Sequence, residues 1–158
     1  MTARGNGGWH LAQLNIGRML APIDHPLVAE FVDLLEPVNA IADDAPGFVW
    51  RLQTEAGDAT SIHLFDDELL LINYSIWDSV ETLKDFVYSG EHRDALRRRS
   101  EWFEKLDELH TVLWWVPAGE VPPPEAAVER LTTLRRDGPT PEAFDFKTTF
   151  PAPVTQAS

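Results

Sequence analysis

Hydrophobic positions along this chain change their spacing several times, and each change predicts a new element. WHLAQLNIG, from Trp9, alternates with a period of two, as a half-buried strand does. Trp9, Leu11, Gln13 and Asn15 fall on one side, and His10, Ala12, Leu14 and Ile16 on the other, so Gln13 and Asn15 face away from the greasier side. From Pro26 to Ala45 the steps become three and four. Leu27, Phe31, Leu34, Leu35, Val38, Ile41 and Ala42 recur as an amphipathic helix requires, and Pro37 inside it predicts a bend or a split. PGFVWRLQ reads as a second strand after a Pro-Gly breaker. TEAGDATSIHLFDD reads as a polar loop in which His63 is a solvated surface residue.

ELLLINYSIW is nearly continuous in apolar content, which predicts a strand central in its sheet. At its end Asp78 and Glu81 have the spacing of a capping box, and a short helix to about Tyr88 follows, broken by Ser89 and Gly90. A longer helix is expected from Glu91 to about Asp107, then a last main strand in LHTVLWWVP. PPPEAAVERLTTLRRDGP carries prolines and acidic residues at its start and Arg135, Arg136 and Gly138 at its end, as helix termini prefer. Phe144, Phe146 and Phe150 are evenly spaced, so a strand-like arm could lay three rings on the body or on a second subunit. Strand, helix, strand, strand, helix pair, strand, helix and arm argue for an α+β sandwich whose antiparallel sheet carries helices on one face. The other face then needs a cover.

At 158 residues the chain fits one domain. The expected division is a disordered arm at 1–8, the domain with its C-terminal helix and arm at 9–150, and a disordered tail at 151–158. Hydrophobic residues at 44% and charged residues at 25% are the proportions of a soluble globular protein. The net charge of -13 works against any phosphate-dense partner, so neither nucleic acid nor a membrane is expected. With no cysteine, disulfides, thiolate nucleophiles and thiolate metal sites are all removed. No apolar run reaches signal-peptide or membrane-span length, and a cytoplasmic protein is the simplest expectation.

The runs NYSIWDSVETLKDFVYSGEHRDALRRRSEWF, LWWVPAGEVPPPEAAVERL and DGPTPEAFDF resemble an uncharacterised family, domain of unknown function 3291. That family belongs to the dimeric α+β barrel superfamily, whose relatives include antibiotic-biosynthesis monooxygenases. The resemblance spans HLAQLNIG to FPAP, and its W-D-S and L-W-W-V-P-A-G runs are specific to it. It implies a ferredoxin-like protomer whose sheet pairs with a partner's sheet to close a barrel, which makes a homodimer the expected assembly and gives the uncovered face its cover. Relatives in the superfamily include cofactor-free oxygenases of aromatic polyketides, haem-degrading monooxygenases, dismutases and dehydratases, so the fold lends chemistry only by analogy.

Candidate chemistry starts from the helix expected at Glu91. At 100° per residue, Ala95, Leu96, Trp102, Phe103 and Leu106 gather into one apolar stripe, with Arg99 near its middle and His92 on the same line. A core-facing arginine is costly unless paired, so one reading is a structural ion pair with one of the 26 carboxylates. The other has Arg99 and His92 lining a pocket between helices and sheet, where Arg99 steadies an anionic oxygen and His92 moves a proton. Trp50, Trp77, Trp102, Phe103 and Trp114 are candidates to line it, Asn73 is a candidate polar anchor, and the alternative for each ring is plain core. Trp114 and Trp115, adjacent on a strand, must face opposite ways, one under the helices and the other toward a dimer interface.

No metal site and no cofactor is expected. The histidines His10, His25, His63, His92 and His110 show neither HExxH nor paired zinc spacing, His110 is read as a capping or edge residue, and nothing near His92 demands a haem. Two functions remain. One is a small-molecule-binding protein, of cofactor-independent monooxygenase type, acting on an ionisable aromatic or enolic compound; the other is a non-catalytic dimeric binding or scaffold module. An open cavity of at least ~300 Å3 reached by these residues favours the first.

Overall fold

The computed structural model of the chain describes residues 8–22, 24–52, 69–88, 98–105 and 110–153. Four strands, β1 (Trp9–Arg18), β2 (Phe48–Arg51), β3 (Leu70–Trp77) and β4 (Thr111–Pro117), form one sheet in the order β2-β3-β1-β4. Every pairing is antiparallel. Helices α1 (Ala29–Asp43), α2 (Val80–Val87) and α3 (Pro124–Asp137) complete an α+β, ferredoxin-like sandwich. Among the described residues no helix is long and apolar enough to cross a membrane. The polar stretch 54–67, with His63, lies outside the described residues.

β1 is bonded on both edges, so its alternation decides what each sheet face contains. Leu11 stands opposite Trp77 and Trp115, Gln13 opposite Ser75 and Leu113, and Asn15 opposite Asn73 and Thr111. These residues share one face. Ala12 with Ile76 and Trp114, and Leu14 with Tyr74 and Val112, make up the other. A slip of one residue would exchange the faces and drive Gln13 and Asn15 into an all-apolar layer, so the register is strongly specified.

The all-apolar face is covered by α3, through Ala127, Leu131 and Leu134 at helical spacing. Burying each leucine contributes roughly 1.5–3 kcal/mol. Pro124 and Glu125 start this helix, and Gly138, at φ 76°, ends it with its N–H on the Leu134 carbonyl at 2.9 Å. Just before it, the Tyr74 hydroxyl donates to the Pro122 carbonyl at 2.6 Å. The face reserved by expectation for a partner's sheet is thus occupied by the chain's own helix. Trp114 lies there, 1% exposed and stacked on Tyr74 with ring centres 6.0 Å apart, rather than at an open interface.

The mixed face lies under α1 and α2. The stretch expected as one helix from Pro26 begins as a 3-10 turn, Pro26–Val28, and α1 then runs through Pro37 without splitting. Phe31 and Leu34 before the proline and Val38 and Ala42 after it face the same cavity, and that shared packing keeps one axis. α2 starts one residue later than the capping box predicts. Ser79 Oγ accepts from the Thr82 N–H at 3.1 Å, and Asp78 instead takes the Thr82 hydroxyl at 2.8 Å.

The long helix expected to reach Asp107 is corrected over 98–105. Only a 3-10 turn, Arg99–Glu101, is present there, after which Phe103 bridges to Met19 as an extended residue. Leu20 N–H donates to Trp102 O and Glu104 N–H to Arg18 O, both at 2.8 Å, so pairing with the end of β1 replaces helical bonding. The aromatic arm folds onto the body: Phe144 exchanges two backbone bonds with Leu113, and Trp115 Nε1 donates to Phe150 O at 2.9 Å.

Gly47 ties β2 to α2. It has φ +84°, and a Cβ there would sit 2.5 Å from both Asp78 Oδ1 and Thr82 Cβ. Gly47→Ala should therefore lower stability by about 2–4 kcal/mol, read as a fall in the urea midpoint at unchanged slope.

Candidate functional site

Between the mixed sheet face and helices α1 and α2 lies a cavity of about 400 Å3. Its floor is graded. Trp77 marks an apolar end, Ser75, Gln13, Asn73, Asn15 and Thr111 form a polar middle, and Gly17 opens the far end. Phe31, Leu34 and Val38 of α1 and Leu83 and Phe86 of α2 form the roof, with Trp102 and Phe103 closing the Gly17 end. No Asp or Glu is among the described residues that line it.

The polar middle is internally bonded. Gln13 Nε2 donates to Asn73 Oδ1 and to Ser75 Oγ, each at 2.8 Å, and Trp77 Nε1 donates to the same Ser75 Oγ at 2.9 Å. Asn15 Nδ2 donates to Thr111 Oγ1 at 2.6 Å. Gln13 is buried, Asn15 half-buried and Asn73 exposed, so the cost of burying an unbonded amide falls chiefly on Gln13, and its cross-strand bonds offset that cost while fixing its direction.

Arg99 is placed by the segment that replaces the expected helix. Gly17 leaves room for it: a Cβ at that position would lie 2.9 Å from Phe103 Cδ1 and 3.3 Å from Arg99 Nη2. The guanidinium carbon stands 5.0 Å from the centre of the Phe103 ring, and Phe31 meets that ring edge-on at 4.9 Å. Its neighbour Arg98 makes the contrast clear. Arg98 is held by Glu30 at 2.6 Å and Glu101 at 3.0 Å, whereas no carboxylate among the described residues pairs with Arg99. Burial pushes the Arg99 guanidinium below its ordinary pKa, yet a guanidinium stays charged. Arg51 also reaches the cavity and is paired with Asp43 at 2.8 Å.

Of the sequence candidates, Asn73, Trp77, Arg99, Trp102 and Phe103 come together around this one cavity. Trp50 and Trp114 do not. Register places Trp50 opposite Ile76, on the apolar face, where it meets Tyr74 edge-on at 5.1 Å, and Trp114 stacks on the other side of that tyrosine. His92 lies outside the described residues. His110, read from sequence as an edge residue, is among those bordering the cavity, and its carbonyl accepts from Ile16 N–H at 2.9 Å. Gln13, Ser75 and Gly17 were not singled out from sequence. Their signal was the interruption of an otherwise apolar pair of interior strands by small and amide side chains on one face.

A family model described as "Domain of unknown function (DUF3291)" matches residues 10–158. The chain belongs to this family. No curated protein matches this DUF3291 chain. Similar solved structures include SnoaB, a cofactor-independent oxygenase from Streptomyces nogalater, at 13% identity and TM-score 0.43, over 72% of this chain and 97% of that one. Others are a putative antibiotic biosynthesis monooxygenase from Nitrosomonas europaea, at 12% and 0.45 over 74% and 94%, and one from Chloroflexus aurantiacus J-10-fl, at 16% and 0.39 over 72% and 97%.

Two substitutions test the construction of the site. Arg99→Met keeps the volume and removes a desolvated charge, so the urea midpoint should hold or rise; a loss above about 1 kcal/mol would identify a paired, structural arginine instead. Gly17→Ala should cost about 1–3 kcal/mol by displacing the Phe103 ring, measured by the same denaturation.

Proposed function

We propose that this chain is a small-molecule-binding protein of monooxygenase-like type, whose cavity takes a flat aromatic or enolic compound as its anion. One observation carries the reading: in a chain of net charge -13, the described lining of the cavity holds no carboxylate and does hold the unpaired Arg99. A half-buried cation with no counter-ion among the described residues is stabilised by bringing an anion to it. The aromatic walls supply stacking area for a planar body, and a volume of about 400 Å3 suits a compound of two or three fused rings.

Charge also dictates how such a ligand arrives. The surface field repels anions at long range, so a neutral acid that ionises once inside meets less opposition. Two charges about 4 Å apart at an effective dielectric near 20 interact by roughly 4 kcal/mol, equivalent to a fall of about 3 units in the ligand's pKa. Arg99 would then act on the ligand as an oxyanion-stabilising group, which is the electrostatic part of an oxygenation that proceeds through an enolate. His92 remains the proposed proton acceptor of that step, and Trp77, Trp102, Phe103 and Asn73 its contact residues. No cofactor enters this reading. Any homodimer of the chain would use a surface other than the one α3 covers.

The test is a spectrophotometric titration of 1-naphthol in the presence of saturating protein. Bound naphthol should ionise at a lower pH than free naphthol, because the cation favours the anion, and Arg99→Met should restore the free value. An unshifted titration for bound naphthol in the parent protein would reject the anion site. Oxygen uptake on adding an enolisable anthrone, followed with an oxygen electrode, then separates an oxygenase from a binding module.

A further inference from the structure

Ser75 stands at the centre of the cavity floor and is 6% exposed. Its oxygen accepts two N–H groups, from Gln13 Nε2 at 2.8 Å and from Trp77 Nε1 at 2.9 Å. Neither donor can accept in return: an amide NH2 and an indole N–H only give protons. A serine oxygen has two lone pairs and one proton, so both lone pairs are committed and the proton must go to a third atom. Among the described residues both hydrogen bonds of the Ser75 oxygen are accepted ones, and no acceptor takes its proton. A buried hydroxyl proton without an acceptor is costly, and a site that fixes its direction has room for an oxygen from elsewhere.

We propose that the Ser75 hydroxyl is a ligand-binding group, aimed by Gln13 and Trp77 to donate a hydrogen bond to a carbonyl or enolate oxygen of the compound held in the cavity. This rests on the reading of the cavity as a ligand site but not on the charge of the ligand. Two N–H groups donating into the hydroxyl polarise it, which strengthens the bond it gives. Asn73 serves the same end at one remove, since its Oδ1 holds the second proton of the Gln13 amide at 2.8 Å and keeps that amide's NH2 toward Ser75. Arg99 and Ser75 then supply two separate points of recognition, one for the charged oxygen and one for a second oxygen on the same planar body. The preferred class is an aromatic or enolic compound with two oxygens, such as a hydroxyquinone or a 1,3-dicarbonyl, over a simple phenol.

1,4-Naphthoquinone is the appropriate probe, because it is neutral and carries carbonyl acceptors, and the chain has no cysteine for it to alkylate. Infrared difference spectra of the bound quinone should show one carbonyl band at lower frequency than in solution. Ser75→Ala should return that band and weaken binding about three- to ten-fold, the usual range for one neutral hydrogen bond. Ser75→Thr, which keeps the hydroxyl, should retain the shift and shows that loss in the alanine variant is not a folding effect. An unshifted band in the parent protein, or a shift that persists in Ser75→Ala, overturns the proposal. Because the quinone is neutral, this result is independent of the naphthol titration: the Arg99 reading can fail while Ser75 stands, and the reverse. A parent protein that takes up neither compound rejects both.

Discussion

The period-two alternation of β1, bonded to β3 on one edge and β4 on the other, is the constraint on which this molecule depends. Because both edges are occupied, each side chain of β1 is locked to one face, and its row extends into both neighbours. One face becomes apolar from Ala12 to Ile16 and needs a helix. The other keeps Gln13 and Asn15 under a roof, where cross-strand partners bond them. A polar floor beneath apolar helices is therefore a consequence of register rather than of any local motif.

The consequence for electrostatics is an interior opposite in sign to the exterior. Twenty-six carboxylates outnumber the thirteen Lys and Arg residues to give the net charge of -13, and described carboxylates pair with Arg98, Arg51 and Arg136, while among the described residues none pairs with Arg99, whose guanidinium lies over the Phe103 ring. The difference between the consecutive Arg98 and Arg99 is geometric. The 3-10 turn points Arg98 toward Glu30 of α1 and Arg99 toward the space above Gly17. A glycine in the strand is what makes that space, and the missing Cβ does the work that a special backbone angle does at Gly47.

Covering the apolar face with α3 also alters what one chain needs from another. Ala12, Leu14, Tyr74, Ile76, Val112 and Trp114 are all 1% exposed or less within a single chain. Helices α1 and α2 roof the cavity from the same chain, so the polar floor and Arg99 come together without a second copy.

Alternation, helical spacing and helix-end residues were enough to set the four strands, the antiparallel α+β class and the C-terminal helix, because each depends on neighbours within a few residues. They also placed Asn73 and Trp77 on one face of β3, whereas the common flank expected for Arg99, Trp102 and Phe103 rested on a helix that is absent over 98–105. Which side of the sheet received which helix lay beyond local pattern, and so did the end of the helix before Arg99. There, long-range bonding of Trp102 and Glu104 to the end of β1 competes with helix formation and prevails. Trp50 and Trp114 illustrate the same limit: both were candidates to line the cavity, and only the pairing of β2 with β3 and of β1 with β4 puts them together on the face that is core. The cavity is a property of elements brought together from distant parts of the chain, and contacts of that range are written into tertiary structure alone.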